Sequence, residues 1–432
     1  MYKKLGNLFK GDKVIWMVFF ILCLVSIIEV FSASSSLTYK TANYWGPILR
    51  HIMMIFIGLA LMIVIHNVKC KYFKIVTFPL LLASVIMLIA VLIFGESTNG
   101  ANRWFSIFGI QFQPSEIAKG SLILAVAQIL STMQTPNGAT KQAMYFVIGT
   151  SAVIILPIAI ENLSTAALIS LVVLLMMWVG RVPNKELGQI LGIGVIGICL
   201  GLAALLSIPE PDDTAQEQTL EEVTTSSKTT KETSGKKKSG GILHRALTWK
   251  HRITNAFSGE EVAPEDYDLD KDSQVAHANI AIVKSNAIGR GPGNSEERDY
   301  LSQAFSDFIY AIIIEELGLE GAALVAILYV IIFWRAGRIA RNCANTFPAY
   351  LAMGIGMLLV IQAMFNMMVA VGLAPVTGQP LPLISRGGTS TIINCVYLGM
   401  LLSISKSAKK RDQLTPAVGR TRSEKVIAAT AK

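Results

Sequence analysis

The chain has 432 residues, of which 52% are hydrophobic and only 16% charged, with a mean hydropathy of +0.52. Apolar residues gathered in runs of about 20 exclude an ordinary soluble enzyme and predict an all-α polytopic membrane protein. The formal charge of +9 sits largely beside those runs, which reads as topology and headgroup contact, with no nucleic acid among the expected partners.

The first 13 residues carry Lys3, Lys4, Lys10 and Lys13 and form a cytoplasmic N-terminus. The run that follows is long for a signal-peptide core and has no small-residue cleavage site after it, so it reads as a retained first span. Apolar runs fall at 14–33, 50–66, 76–94, 116–132, 143–160, 163–179, 187–208, 307–334, 349–372 and 389–405. Each is long enough to cross a bilayer, which predicts about ten transmembrane helices. Lys69, Lys71 and Lys74, then Lys141, then Arg181 and Lys185, then Arg335, Arg338 and Arg341 occupy alternate connections, together with the tail at 409–411. The positive-inside rule makes those connections and both termini cytoplasmic.

The predicted organisation is helices 1–7 over 14–208, a large external loop over 209–306 between the seventh and eighth spans, helices 8–10 over 307–405, and a basic cytoplasmic tail over 406–432. In the loop, 210–241 is acidic and then rich in Ser, Thr, Lys and Gly. It lacks the apolar content to order itself. Residues 242–257 mix Leu243, Leu247 and Trp249 with basic residues, as either an interfacial amphipathic helix or a solvated basic one. Five scattered cysteines show no CxxC or Cys/His spacing, which suggests neither a disulfide framework nor a zinc site.

The candidate chemistry lies on the external side. Asp307, between Phe305 and Phe308, precedes a long apolar run that also holds Glu315 and Glu316. An ionisable group at a membrane segment is a functional candidate, and a helix cap is the competing reading. In QPSEIAK (113–119), Gln113 leads into a helix start for which Ser115 suits the N-cap. Glu116 and Lys119 are i,i+3, either a structural ion pair or a wall of a headgroup cavity. Arg103 and Trp104 read as an interfacial anchor or as a grip on phosphate. GRGPGNS (289–295) lacks the P-loop pattern and reads as a backbone turn. The sequon at Asn162 lies between two spans and is discounted. The segment 373–388 is rich in Pro and Gly, and irregular backbone at membrane depth must be buried in protein or line a cavity.

RW at 103–104, QPSEIAK at 113–119, GRGPGNS at 289–295, SDFIYAIIIEELG at 306–318 and PVTGQPLPLISRGGTS at 375–390 together resemble the SEDS family of bacterial cell-wall polymerases. The division branch, FtsW, is closer than the elongation branch, RodA. The resemblance implies a peptidoglycan glycosyltransferase that polymerises lipid II on the outer face of the bacterial cytoplasmic (inner) membrane, with Asp307 catalytic. It further implies substrate contacts from Arg103, Trp104, Gln113, Ser115, Glu116, Lys119, Asn294, Ser295, Glu315, Glu316, Pro380, Pro382, Ser385, Arg386, Gly387 and Gly388. The expected partners are lipid II, the growing glycan chain, a class B penicillin-binding protein transpeptidase and other divisome membrane proteins at the septum. A divalent cation, Mg or Mn, is the one cofactor considered. Where the family often has Pro-Asp, this chain reads Glu161-Asn162, which removes that aspartate from the argument. With 317–334 as the spanning part, Asp307 stands about ten residues, or ~15 Å of helix, further out. A lipid II flippase and a non-catalytic scaffold for the transpeptidase are the alternatives.

Overall fold

The computed structural model describes residues 10–33, 45–98, 101–107, 110–206, 273–285, 287–301 and 304–408. Helices lie on all ten apolar runs: α1 Lys13–Ala33, α2 Gly46–Asn67, α3 Cys70–Phe94, α4 Pro114–Thr132, α5 Lys141–Glu161, α6 Leu163–Val179, α7 Asn184–Leu206, α9 Ile309–Arg341, α10 Thr346–Ala370 and α11 Thr389–Ala408. Seven of them (α1, α2, α3, α5, α9, α10 and α11) are long and apolar enough to cross a membrane. Most are apolar on all sides, so amphipathicity does not set their orientation. Polar groups on the buried faces do.

The helices divide into a core and a rim. α4 is enclosed along most of its length, from Ala118 to Leu130, and packs against α3, α5 and α10. α9 packs against α10 and α1 against α9, and α11 buries Leu398, Leu401 and Leu402 completely. On the rim, α3 leaves Phe78, Ile86 and Ile93 exposed, as a lipid-facing helix does.

Three features depart from the sequence expectation. The 95–114 connection is not an irregular loop, because β1 (Glu96–Thr98), β2 (Ala101–Ile107) and β3 (Ile110–Phe112) form a small antiparallel sheet. Phe105 stands opposite Phe112 and Ile107 opposite Ile110. Aromatic and β-branched residues at those positions favour pairing over helix, so the chain is not wholly α. A second hairpin, β4 (Gln134–Thr135) with β5 (Gly138–Ala139), turns at Pro136-Asn137.

The long connection contains a helix that the sequence reading passed over, α8 (Ser273–Lys284), which tucks Ala276, Ala278 and Ala281 against its neighbours. Its small apolar face was too weak a signal. The stretches 210–241 and 242–257 lie outside the described residues.

Finally, α9 is two helices joined at Gly318, where φ is +71° and ψ −174°. Asp307 lies before the break and before the helix itself, so the straight 15 Å rise expected from 317 to 307 does not exist.

The loops carrying Lys69, Lys141, Arg181 and Arg338 share one end of the bundle. There Arg335 Nε donates to Asp12 Oδ2 at 2.9 Å, tying the N-terminus to α9. The other end holds the sheet, the 287–308 segment and the 371–388 segment. All five cysteines are free.

Candidate functional site

The site is built on the irregular backbone between α10 and α11. A chain that leaves helical geometry at membrane depth must have its carbonyls satisfied by protein, and here side chains from three helices do so. Asn366 Nδ2 of α10 donates to Gln379 O at 2.8 Å, and Gln362 Nε2, one turn earlier, donates to Pro380 O at 3.1 Å. Tyr329 OH of α9 donates to Pro382 O. Ser26 Oγ of α1 donates to Ile384 O at 2.7 Å. The Gln379 side chain donates to Thr165 Oγ1 of α6 at 2.6 Å. Pro382 and Ser385 are buried and Pro380, Gly387 and Gly388 half-buried, so the prolines and glycines shape the backbone.

This segment holds the turn that carries Asp307. Ser385 Oγ donates to Ser306 O at 2.6 Å while accepting from Leu381 N–H at 2.7 Å, and Arg386 N–H donates to Phe305 O at 2.9 Å. Asn366 Nδ2 also donates to Asp307 O at 2.8 Å. The Asp307 carboxylate is half-buried and accepts from Ser306 Oγ at 2.9 Å. The N-cap of α9 is Phe308, with no side-chain cap bond. The cap reading of Asp307 therefore falls, and a carboxylate held by its backbone on rigid neighbours remains.

Glu315 and Glu316 do something else. Both are fully buried, and the 289–296 loop folds onto them. Arg290 and Gly291 N–H groups donate to Glu315 O and Glu316 O at 3.0 and 2.8 Å, taking up carbonyls left open by the break at Gly318. The side chains cap the loop in return. Ser295 Oγ and Glu296 N–H donate to Glu315 at 2.5 and 3.0 Å, and Gly293 N–H donates to Glu316 at 2.9 Å. Ser32 of α1 and Arg298 complete the cluster around Glu316. Asn294 is exposed and bonds Arg290 O within its own loop. As substrate contacts, Glu315, Glu316 and Ser295 are corrected to anchors, since the loop already occupies their oxygens.

Glu116 and Lys119 receive the same correction. They pair at 2.8 Å with 1% and 0% exposure, and Lys119 Nζ also donates to Gln362 Oε1 at 2.9 Å. Both are enclosed in the core. They hold the amide that holds Pro380. Ser115 is not the N-cap, because α4 starts at Pro114 with Gln113 in the cap position. Gln113 and Ser115 instead line a small open cleft with Glu161 and Asn162, walled by Leu88 and Val91. Asn162 Oδ1 caps α6 by accepting from Thr165 N–H at 3.1 Å. An asparagine does this as well as an aspartate, so the departure at 161–162 keeps the local fold. Trp104 is half-buried in β2 opposite Glu96, and the Arg103 side chain lies outside what is described.

Sequence reasoning missed Ser26, Thr165, Tyr329, Gln362 and Asn366. The available signal was polarity inside apolar runs: Gln362 and Asn366 are i,i+4 on one face of α10, and an intramembrane polar residue needs a partner.

The whole chain can be set beside known proteins. It is 28% identical over 414 residues to the “Probable peptidoglycan glycosyltransferase FtsW” of Halomonas elongata, covering 93% of this chain and 92% of that one. It is likewise 28% identical over 425 residues to the protein of the same name from Trichlorobacter lovleyi, covering 97% and 98%. Among solved structures, RodA of Thermus thermophilus superposes with a TM-score of 0.60 at 20% identity, covering 93% of this chain and 99% of that one. A chain from a structure titled “Structural coordination of polymerization and crosslinking by a peptidoglycan synthase complex” gives a TM-score of 0.65 at 20% identity, covering 92% and 98%. The family model described as “Cell cycle protein”, for FtsW, RodA and SpoVE, matches residues 12–208 and 242–410, and the chain belongs to that family.

Proposed function

We propose that this protein is a peptidoglycan glycosyltransferase that polymerises lipid II, with Asp307 as general base. The observation that carries the reading is the Asp307 turn itself. A half-buried carboxylate is fixed through the carbonyls of Phe305 and Ser306 to the 379–386 segment and through its own carbonyl to Asn366 of α10, at the end opposite the basic loops. In this reading the chain has ten spans with both termini cytoplasmic, and that end faces outward.

Asp307 takes the proton of the acceptor GlcNAc 4-hydroxyl. The oxygen forms a bond to the anomeric carbon of the donor MurNAc with inversion. The bond from that carbon to the diphosphate oxygen breaks, and undecaprenyl diphosphate leaves with the electron pair. The partners are a class B penicillin-binding protein and other divisome proteins at the septum of the bacterial cytoplasmic membrane. Among the described residues no three His, Cys, Asp or Glu side chains converge to hold a metal. No step is routed through a Mg or Mn ion. The sequence motifs gather at one end, which also favours an enzyme over a flippase, whose path would cross both halves.

The test is lipid II polymerisation by the purified protein with its transpeptidase partner. Asp307→Ala is expected to lose at least ~100-fold in rate, the lower range for a general base, with an unchanged melting curve. Substantial residual polymer from the variant would remove Asp307 from the mechanism. No polymer from either protein would return the flippase and scaffold readings.

A further inference from the structure

Two guanidinium groups at the site have no acidic partner among the described residues. Arg386 is placed two residues from the Asp307 turn by its own N–H on Phe305 O, and its Cζ lies 5.2 Å from the centre of the Phe305 ring. Its Nη1 is enclosed and donates to nothing described. The neighbouring charge is another cation, Arg50 near the start of α2, which adjoins His51; Ser26 joins His51 to Ile384 O, two residues before Arg386. Burial first, and then Arg50, draw the Arg386 guanidinium down from its usual value. A guanidinium keeps its charge inside a protein.

His51 also faces Arg386 and brings no negative charge. The single hydrogen of Ser26 goes to Ile384 O, so Ser26 accepts from His51 Nε2–H at 2.8 Å. The N-terminus of α2 adds the positive end of a helix dipole. Two cations with an open donor and no carboxylate call for an anion between them.

We propose that Arg50 and Arg386 form the binding site for a prenyl-linked diphosphate beside the Asp307 turn. Two guanidinium forks match two phosphates. The prenyl chain is argued from α2, where Trp45, Leu49, Met53 and Phe56 are 72%, 66%, 48% and 66% exposed. At i, i+4, i+8 and i+11 they make an apolar track running inward from Arg50. When the glycosidic oxygen leaves, its new negative charge develops within reach of both cations and needs no proton. The identity of the carrier rests on the glycosyltransferase reading, whereas the binding measurement does not.

The test is calorimetric titration of farnesyl diphosphate into the full-length protein in neutral detergent. Wild type is expected to bind, and Arg50→Gln and Arg386→Gln each to weaken binding about tenfold or more, the effect of losing one charge-assisted phosphate contact. Arg50 is exposed on α2, so Arg50→Gln is expected to melt like wild type and carries the test if Arg386→Gln is unstable. Arg386→Lys is expected to fall between. Unchanged affinity in both Gln variants overturns the proposal. So does equal displacement by phosphatidylglycerol, which would mark a general headgroup site, or equal binding of inorganic pyrophosphate, which would remove the prenyl track. Binding that follows this pattern in a protein that makes no glycan would keep the site and sink the glycosyltransferase reading. Glycan synthesis with arginine-independent binding would do the reverse.

Discussion

Two pairs of charged residues at the same end of the bundle have opposite fates. Lys119 and Glu116 neutralise each other in complete burial, and the spare valence of Lys119 goes to Gln362, which supports Pro380. Arg50 and Arg386 carry the same sign, meet no carboxylate among the described residues, and leave a guanidinium nitrogen unbonded. In the sequence, Lys119 and Arg386 look alike, each a cation in a Pro-containing motif beside an apolar run. The structure separates them by asking where each charge is spent. A charge met by its opposite is scaffold, and one that meets only its own sign is available to a ligand.

The sharpest break of this comparison is Lys119→Met. It strands the Glu116 carboxylate in a dry core and is expected to cost ~3–5 kcal/mol, read as a fall in the melting temperature of the detergent-solubilised protein. Combining it with Glu116→Gln is expected to recover most of that loss, because no uncompensated charge remains. Arg50→Met is expected to leave stability unchanged or slightly raised, since it removes repulsion. Equal destabilisation by Lys119→Met and Arg50→Met would collapse the distinction.

A smaller effect is expected at the break in α9. A Cβ on Gly318 would stand 2.3 Å from Ala287 O, and its positive φ disfavours any other residue. Gly318→Ala is expected to cost about 1–3 kcal/mol from the backbone alone and to loosen the 289–296 loop, seen as faster proteolysis there.

Ser385→Ala is expected to cost about 1–3 kcal/mol by leaving Leu381 N–H and Ser306 O without their partner. Because Ser385 acts only through the Asp307 turn, kcat should fall while KM for lipid II holds, with partial rescue by Thr. A fall confined to KM would place Ser385 against substrate instead.

The helices on the apolar runs were legible because an apolar run is a one-dimensional property, and so was the clustering of motifs at one end, since loops alternate. The division of labour among the motif residues was not. Glu315, Glu316, Glu116 and Lys119 looked like site residues because intramembrane charge is costly, yet that cost is met locally by Ser295, Gly293 and each other. Arg50 was passed over because it stands at the start of an apolar run with no motif around it. Its relation to Arg386 spans more than 300 residues of chain and exists only after folding. The small sheet at 96–112 was obscured by glycines that suggested a loop.

The smallest expected effect concerns the outer rim of the same loop. Lys284 Nζ lies 3.0 Å from Glu296 and Arg290 Nη1 lies 2.8 Å from it, with Lys284 and Glu296 exposed and Arg290 partly so. Hydrogen bonds from Lys284 and then Arg290 hold the Glu296 carboxyl below its usual value, and Glu297 and then Glu296 raise that of Lys284. A depressed carboxyl contributes stability above its unfolded pKa and loses it as pH falls through the folded one. A raised ammonium contributes below its unfolded pKa and loses it as pH rises through the folded one. The loop should therefore be tightest near neutrality and loosen toward both extremes. Exposed pairs are screened by salt, so Glu296→Gln and high salt should each speed hydrogen exchange at 290–294 only slightly and should not add. Glu316→Gln, which disturbs the buried anchor, should speed it far more. If Glu296→Gln opened the loop as widely as Glu316→Gln, its attachment would lie in the surface pairs and the buried carboxylates would be free for another task.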